Sequence, residues 1–180
     1  MRAPMLLLAL LPLAAGCNQP RGTYQHATVT WVGDTACFSV ADTEESRRTA
    51  PVLAAISVSR QTGGGWVDLW HWATPVATPT VLPPDRCLRY GEAPQAATSP
   101  SFAAPPLRPG ERYVVEINGE VPNPLPGGDA TLSRSYSRHF CILPTGQGAH
   151  RVALVQQIRG ELDWSVCQAS DDGPALHVDQ

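Results

Sequence analysis

The chain has 180 residues and a formal net charge of −3, and it contains no lysine, so all 13 basic residues are arginines. Without lysine runs or a basic stripe, the composition argues against a nucleic-acid-binding protein. The 18 prolines and 15 glycines exceed ordinary usage and indicate many turns and few long helices.

The first segment carries Arg2, then a leucine-rich apolar run too short to span a bilayer, then small residues. This order predicts a secretory signal peptide over residues 1–16. Cys17 follows directly, and the segment resembles the lipobox of bacterial lipoproteins. The resemblance implies cleavage before Cys17, which would carry the lipid; the alternative is an ordinary signal followed by a chance cysteine. Residues 17–24 would form a short lipidated tether, and Asn18 favours anchoring to the outer membrane, on its periplasmic side.

Removing 16 residues leaves 164, enough for one core. Four cysteines remain in an oxidising compartment, which predicts two disulfides with three possible connectivities. Their spacings of 50, 54 and 26 residues lack the close pairs that a zinc site prefers. We expect Cys37 to pair with Cys141 and Cys87 with Cys167.

Short β-rich segments separated by turns follow along the chain. Ile56 and Val58 alternate with serines, which predicts a strand with one buried face. We expect a loop or one helical turn over 41–51, an extended edge over 73–84 and a long surface loop over 91–106. The predicted strands cover residues 25–32, 35–40, 52–60, 66–72, 86–90, 112–119, 131–143 and 162–167, while 151–158 fits helix or strand.

About seven to nine short strands with hardly any helix predict an all-β fold. We expect an antiparallel β-sandwich of immunoglobulin-like type over residues 25–168, with a small barrel as the competing architecture. Residues 169–180 are polar and predict a flexible tail.

The sequence contains no catalytic motif: the nucleophile elbow, the HExxH metal motif and the glycine-rich nucleotide loops are all missing. Its five histidines include no pair at ligand spacing. We therefore expect a protein that is not an enzyme and that uses neither a metal nor a cofactor.

The segment 66–72 is the best candidate for a binding surface. In a regular strand Trp66, Trp70 and Trp72 share one face, and tryptophan provides a large amphipathic contact area for a partner. The alternative is that these tryptophans form the core of the sandwich, since buried aromatic side chains dominate such cores.

Several stretches resemble, in the same order, a family of small periplasmic lipoproteins grouped as type VI secretion immunity proteins. The resemblance implies a lipoprotein that binds and neutralises a secreted antibacterial toxin. Its partners would be that toxin and, through the lipid, the membrane. The resemblance rests on the following segments: the lipobox, Ala27-Thr28-Val29-Thr30, Cys37-Phe38-Ser39-Val40, Asp85-Arg86-Cys87-Leu88, residues 107–115 and residues 137–142.

Two other classes of function fit the same features. A glycan- or peptidoglycan-binding lipoprotein would use the tryptophans of 66–72 as a sugar platform. An assembly lipoprotein would use an open sheet edge to pair with a component of a secretion or pilus system.

Overall fold

The computed structural model describes residues 23–74, 78–92 and 104–168. The predicted signal peptide, Cys17 and the predicted tail lie outside these residues. The strands are β1 (Thr23–His26), β2 (Thr28–Val32), β3 (Thr35–Ser39), β4 (Val52–Thr62), β5 (Gly65–Ala73), β6 (Thr80–Val81), β7 (Leu88–Arg89), β8 (Arg112–Pro122), β9 (Thr131–Thr145), β10 (Ala149–Leu154), β11 (Gln156–Ile158) and β12 (Glu161–Asp163); α1 (Glu44–Arg48) is the helix, and two 3-10 helices cover Gly146–Gly148 and Trp164–Cys167.

A large seven-stranded sheet forms one layer of the molecule, and its main path runs β1-β9-β8-β4-β5. β8 and β9 pair over eleven positions, because β9 is the longest strand and follows β8 through a Gly- and Pro-containing turn. β1 pairs in parallel with the first half of β9, and β10 pairs antiparallel with its second half. β6 adds a short pairing to β4.

A small sheet of β2, β3 and β7 forms the second layer, and β11 and β12 form a separate hairpin. β2 and β3 are the predicted hairpin, with Gly33 in its turn at a positive φ of 65°. The segment predicted as one strand over 25–32 divides at Ala27, whose N–H donates to the carbonyl of Ser137. The chain therefore passes from the large sheet to the small sheet at this residue.

The core lies between the two sheets, as the alternation of apolar residues predicts. Ile56 and Val58 of β4 are fully buried, and Phe38 of the small sheet packs against Phe140 of the large sheet with ring centroids 5.8 Å apart. Phe38 also packs against Trp70, at 6.3 Å. The prediction of an all-β sandwich is confirmed, and its immunoglobulin-like type stays a prediction.

The two disulfides join Cys37 to Cys87 and Cys141 to Cys167, so the predicted connectivity is wrong. The reason is the alternation of side chains along a strand. Phe38 and Phe140 point into the core, so the neighbouring Cys37 and Cys141 point outward from opposite sides of the sandwich. A bridge between these two cysteines would have to cross the core.

The disulfides instead fasten local segments to the outside of each sheet. Cys37 of β3 pairs in register with Arg89 of β7, which places Cys87 beside it. Cys141 of β9 holds Cys167, near the end of the described chain.

Other elements differ from the predictions in detail. The described residues form twelve strands rather than seven to nine, because 25–32 and 151–158 each divide into two and a very short strand, Thr80–Val81, occurs in the segment predicted as an extended edge. The strand predicted over 162–167 is strand only to Asp163 and then becomes a 3-10 helix. The predicted tether over 17–24 overlaps β1, which begins at Thr23.

Candidate functional site

The three tryptophans of β5 do not share one face. Trp70 and Trp72 are 3% and 1% exposed and belong to the core, whereas Trp66 is 42% exposed. The prediction of a common binding face is therefore wrong, and the alternative of a core position holds for Trp70 and Trp72.

A β-bulge at Leu69 separates Trp66 from the other two. Val58 of β4 pairs with Trp70, but the next residue of β4 pairs with Asp68, so Leu69 has no partner of its own in β4. A bulge shifts the alternation of a strand by one residue, and such a shift exchanges its two faces. Trp66 therefore lies on the face of the large sheet directed away from the small sheet, hereafter the outer face.

Trp66 belongs to a group of four side chains on this face, hereafter the outer-face cluster, with Arg112, His139 and Trp164. The ring centroid of Trp66 lies 5.5 Å from that of His139 and 6.4 Å from that of Trp164. His139 and Trp164 meet edge to face at 5.8 Å. The guanidinium carbon of Arg112 lies 5.0 Å from the Trp164 ring centroid, within the range of a cation–π interaction.

The strands beneath the cluster are closely packed and joined by side-chain hydrogen bonds. Ser59 and Val114 lie on the outer face and are each 7% exposed, which is unusual for the side of a sheet without a second sheet on it. The Ser59 hydroxyl donates to the Asp68 carboxylate at 2.6 Å. Arg112 donates to the side-chain oxygen of Gln61 at 3.3 Å.

Trp164 reaches this face through the second disulfide. It begins the 3-10 helix Trp164–Cys167, whose last residue is bonded to Cys141 on β9. The Asp163 carboxylate accepts from the backbone N–H of Ser165 at 3.0 Å and caps the helix. Val166 packs beside the disulfide against a small apolar group on the outer face.

His139 is partly buried by its aromatic neighbours. Burial and the nearby positive charge of Arg138 lower the pKa of His139 below the ordinary value of 6.5. The imidazole is therefore neutral at pH 7, and its ring contributes mainly as a flat, weakly polar surface.

An open groove of about 740 Å³ adjoins the cluster and shares His139 with it. Its floor is β9 at Ser137–His139, one wall is β1 and the other is the segment that includes the β11–β12 hairpin. The groove forms where β1 stops pairing with β9 at Ser137 and before β10 begins pairing at Phe140. The lining residues are Tyr24, Gln25, His26, Ser137, Arg138, His139, Val155, Gln156, Gln157, Gly160 and Leu162.

The described residues contain no group of three or more His, Cys, Asp or Glu side chains placed to hold a metal ion. Within the same residues, no helix has both the length and the apolar character that crossing a membrane requires. What the outer face offers chemically is aromatic surface, hydrogen-bonding amides and positive charge, which suits binding.

Sequence reasoning found Trp66 but missed the rest of the cluster. The alternation of 131–143 does place His139 and Cys141 on one face, and Arg112 of β8 pairs with Cys141 and so lies on that face too. Trp164 was missed because residues 162–167 were predicted as a strand, whereas Trp164 begins a 3-10 helix. An aspartate two residues before a serine is a capping signal, and it marked the start of the 3-10 helix.

Comparisons with protein-family models, with curated proteins and with solved structures returned no significant match to this chain.

Proposed function

We propose that this chain is a lipid-anchored envelope protein that binds and neutralises a secreted antibacterial protein toxin. The outer-face cluster is the observation that carries the proposal. Trp and Arg are the side chains most enriched at the energetic centres of protein interfaces, and here Trp66, Trp164 and Arg112 lie together on a rigid sheet.

The sandwich itself supports a binding role. An inhibitor that works by blocking a partner gains affinity when its surface is fixed before binding, because little entropy is then lost on association. Two disulfides fasten the outsides of both sheets, and one of them holds a residue of the cluster. The resemblance of the lipobox and of the cysteine-containing strands to periplasmic immunity lipoproteins agrees with this role.

Co-expression with the toxin encoded next to this gene tests the proposal. We expect the full-length protein to restore growth to cells that export the toxin and to co-purify with it. Trp66→Ala should lose the protection, whereas Leu125→Ala, which removes a 60% exposed side chain from a loop, should keep it. Failure of the unchanged protein both to protect and to co-purify would refute the proposal.

Glycan binding is the second candidate, because an exposed tryptophan beside polar side chains also suits a sugar ring. Trp66 has the Asp68 carboxylate and the Gln61 amide on the same face of the sheet. Retention of the soluble domain on isolated cell wall, lost in Trp66→Ala, would favour this function over toxin binding.

A further inference from the structure

The β11–β12 hairpin stands apart from the core of the sandwich. It forms a two-stranded sheet of its own, separate from both layers, and residues 156–161 are all exposed. An isolated two-stranded hairpin is only marginally stable in water. Burial of apolar surface therefore does not explain why the chain forms this element.

Both ends of the hairpin are attached to the large sheet at His139. Before the hairpin, the backbone N–H of Val155 donates to the carbonyl of His139 at 3.0 Å. After it, the ring of Trp164 packs against the ring of His139. The 3-10 helix that Trp164 begins is bonded to β9 through the disulfide from Cys167 to Cys141. The hairpin therefore lies directly beside the outer-face cluster.

The turn at the tip of the hairpin has a conformation that its sequence does not favour. Arg159 and Gly160 are the two residues between the paired strands, and their φ angles are 53° and 90°. Such a turn prefers asparagine or aspartate before the glycine, because a positive φ strains a longer L side chain. Arg159 is the one residue other than glycine with a positive φ in the described chain. Backbone strain of this kind clusters at functional sites.

The side chains at the tip suit a narrow site in another protein. Ile158 is 52% exposed and offers an apolar surface. Arg159 is exposed too, and no carboxylate of the described residues lies within 4.0 Å of its guanidinium. Its planar guanidinium matches a carboxylate, with which arginine forms paired hydrogen bonds. Two paired strands lie only about 4.8 Å apart, so the tip is thin enough to enter a cleft.

We propose that the tip of this hairpin, residues 158–160, inserts into an acidic cleft of the toxin. Arg159 binds a carboxylate there, and Ile158 packs against an apolar wall. This inference rests on the proposed function and names the part of the chain that blocks the toxin. The outer-face cluster then binds the toxin surface beside that cleft.

Arg159→Asn tests the proposal because its effects on stability and on binding should have opposite signs. Asparagine accepts a positive φ more readily than arginine and has no charge. We expect the midpoint of urea unfolding to rise by about 0.3 M. The Kd for the toxin encoded beside the gene should rise about tenfold. Both are measured on the chain from Asn18, which contains every described residue, and the Kd is measured by titration calorimetry.

Two further variants locate the effect. Arg86→Asn removes the same charge from an exposed residue next to the Cys37–Cys87 disulfide, where φ is not positive, and should change neither the midpoint nor the Kd. Ile158→Ser should raise the Kd about fivefold without raising the midpoint. An unchanged Kd in Arg159→Asn, or an equal rise in Arg86→Asn, would overturn the proposal.

Salt tests the charge of the cleft. Raising the concentration of NaCl should raise the Kd of the wild type more than that of Arg159→Asn, because salt screens the attraction to a carboxylate. Equal salt dependence would overturn the acidic cleft. If the wild type does not bind the toxin, the proposed function fails and the hairpin inference fails with it. If the wild type binds and the hairpin variants bind equally well, only the hairpin inference fails.

Discussion

Single residues of β5 show how one strand serves two purposes. Trp72 fills the core and Trp66 lies on the outer face, although both have the same chemistry and stand six residues apart. An even spacing in a regular strand would put both on one face. The extra residue at Leu69 changes the face, and with it the role of each tryptophan.

Alanine substitutions at these two positions should separate core from surface. Trp72→Ala should lower the free energy of unfolding by about 3–5 kcal/mol, because it leaves a cavity between the sheets. Trp66→Ala should cost about 1 kcal/mol, the value of aromatic contacts at a half-exposed position. Urea unfolding of both variants measures the difference, and equal losses would contradict the positions assigned here.

His139 should make the protein sensitive to acid. Its pKa is lowered in the folded state by burial and by Arg138, so the fold favours the neutral imidazole. Its contribution to stability is therefore full above the unfolded pKa of about 6.5 and is lost as pH falls below that value toward the folded pKa.

The free energy of unfolding, measured as a function of pH, tests the predicted effect of His139. Between pH 7 and pH 5 the wild-type protein should lose more stability than His139→Gln, which cannot take up a proton there. The matched variant His71→Gln changes an exposed histidine of β5 and should keep the wild-type slope. Parallel profiles for wild type and His139→Gln would contradict the burial of His139.

At the scale of elements, the 3-10 helix Trp164–Cys167 owes its place to one covalent bond. Four residues of 3-10 helix have little intrinsic stability. The bond from Cys167 to Cys141 holds them against the outer face, and Trp164 then completes the cluster. The other disulfide, between Cys37 and Cys87, lies on the opposite side of the sandwich and provides a control.

Removal of each disulfide should therefore have different local effects. The double variants Cys141→Ala/Cys167→Ala and Cys37→Ala/Cys87→Ala should each lose about 3–4 kcal/mol of stability, given loops of 26 and 50 residues. Only the first should raise the pKa of His139 toward 6.5, because only there does Trp164 leave the ring. NMR titration of the histidines measures the pKa of His139 in each variant. An unchanged pKa in the first variant would contradict the claim that the Cys141–Cys167 bond holds Trp164 against His139.

The same elements explain what the sequence predicted well and what it did not. The alternation in 52–60, 112–119 and 131–143 is regular, so the central strands and the sandwich class were predictable. The same alternation could have excluded the predicted pairing of Cys37 with Cys141, because a cysteine next to a core phenylalanine must point outward. The bulge at Leu69 could not be predicted from the spacing of apolar residues, because it depends on how β5 pairs with β4.

In the whole molecule, the core and the proposed binding surface lie on opposite sides of the large sheet. The small sheet covers one side of the large sheet and buries the core. The opposite side carries the outer-face cluster, with its aromatic surface and the positive charge of Arg112, and the adjoining groove. The tryptophan segment predicted a binding surface, but the composition of that surface depends on Arg112 and Trp164, which only the fold brings together.

Whether the toxin binds at the outer-face cluster can be measured by titration calorimetry of the toxin encoded beside the gene against the soluble domain, wild type and Trp66→Ala. We predict that Trp66→Ala, folded and with its disulfides intact, raises the Kd by about 30-fold, as expected for an interface centre worth about 2 kcal/mol. A Kd equal to that of wild type would show that the outer-face cluster is not where the toxin binds.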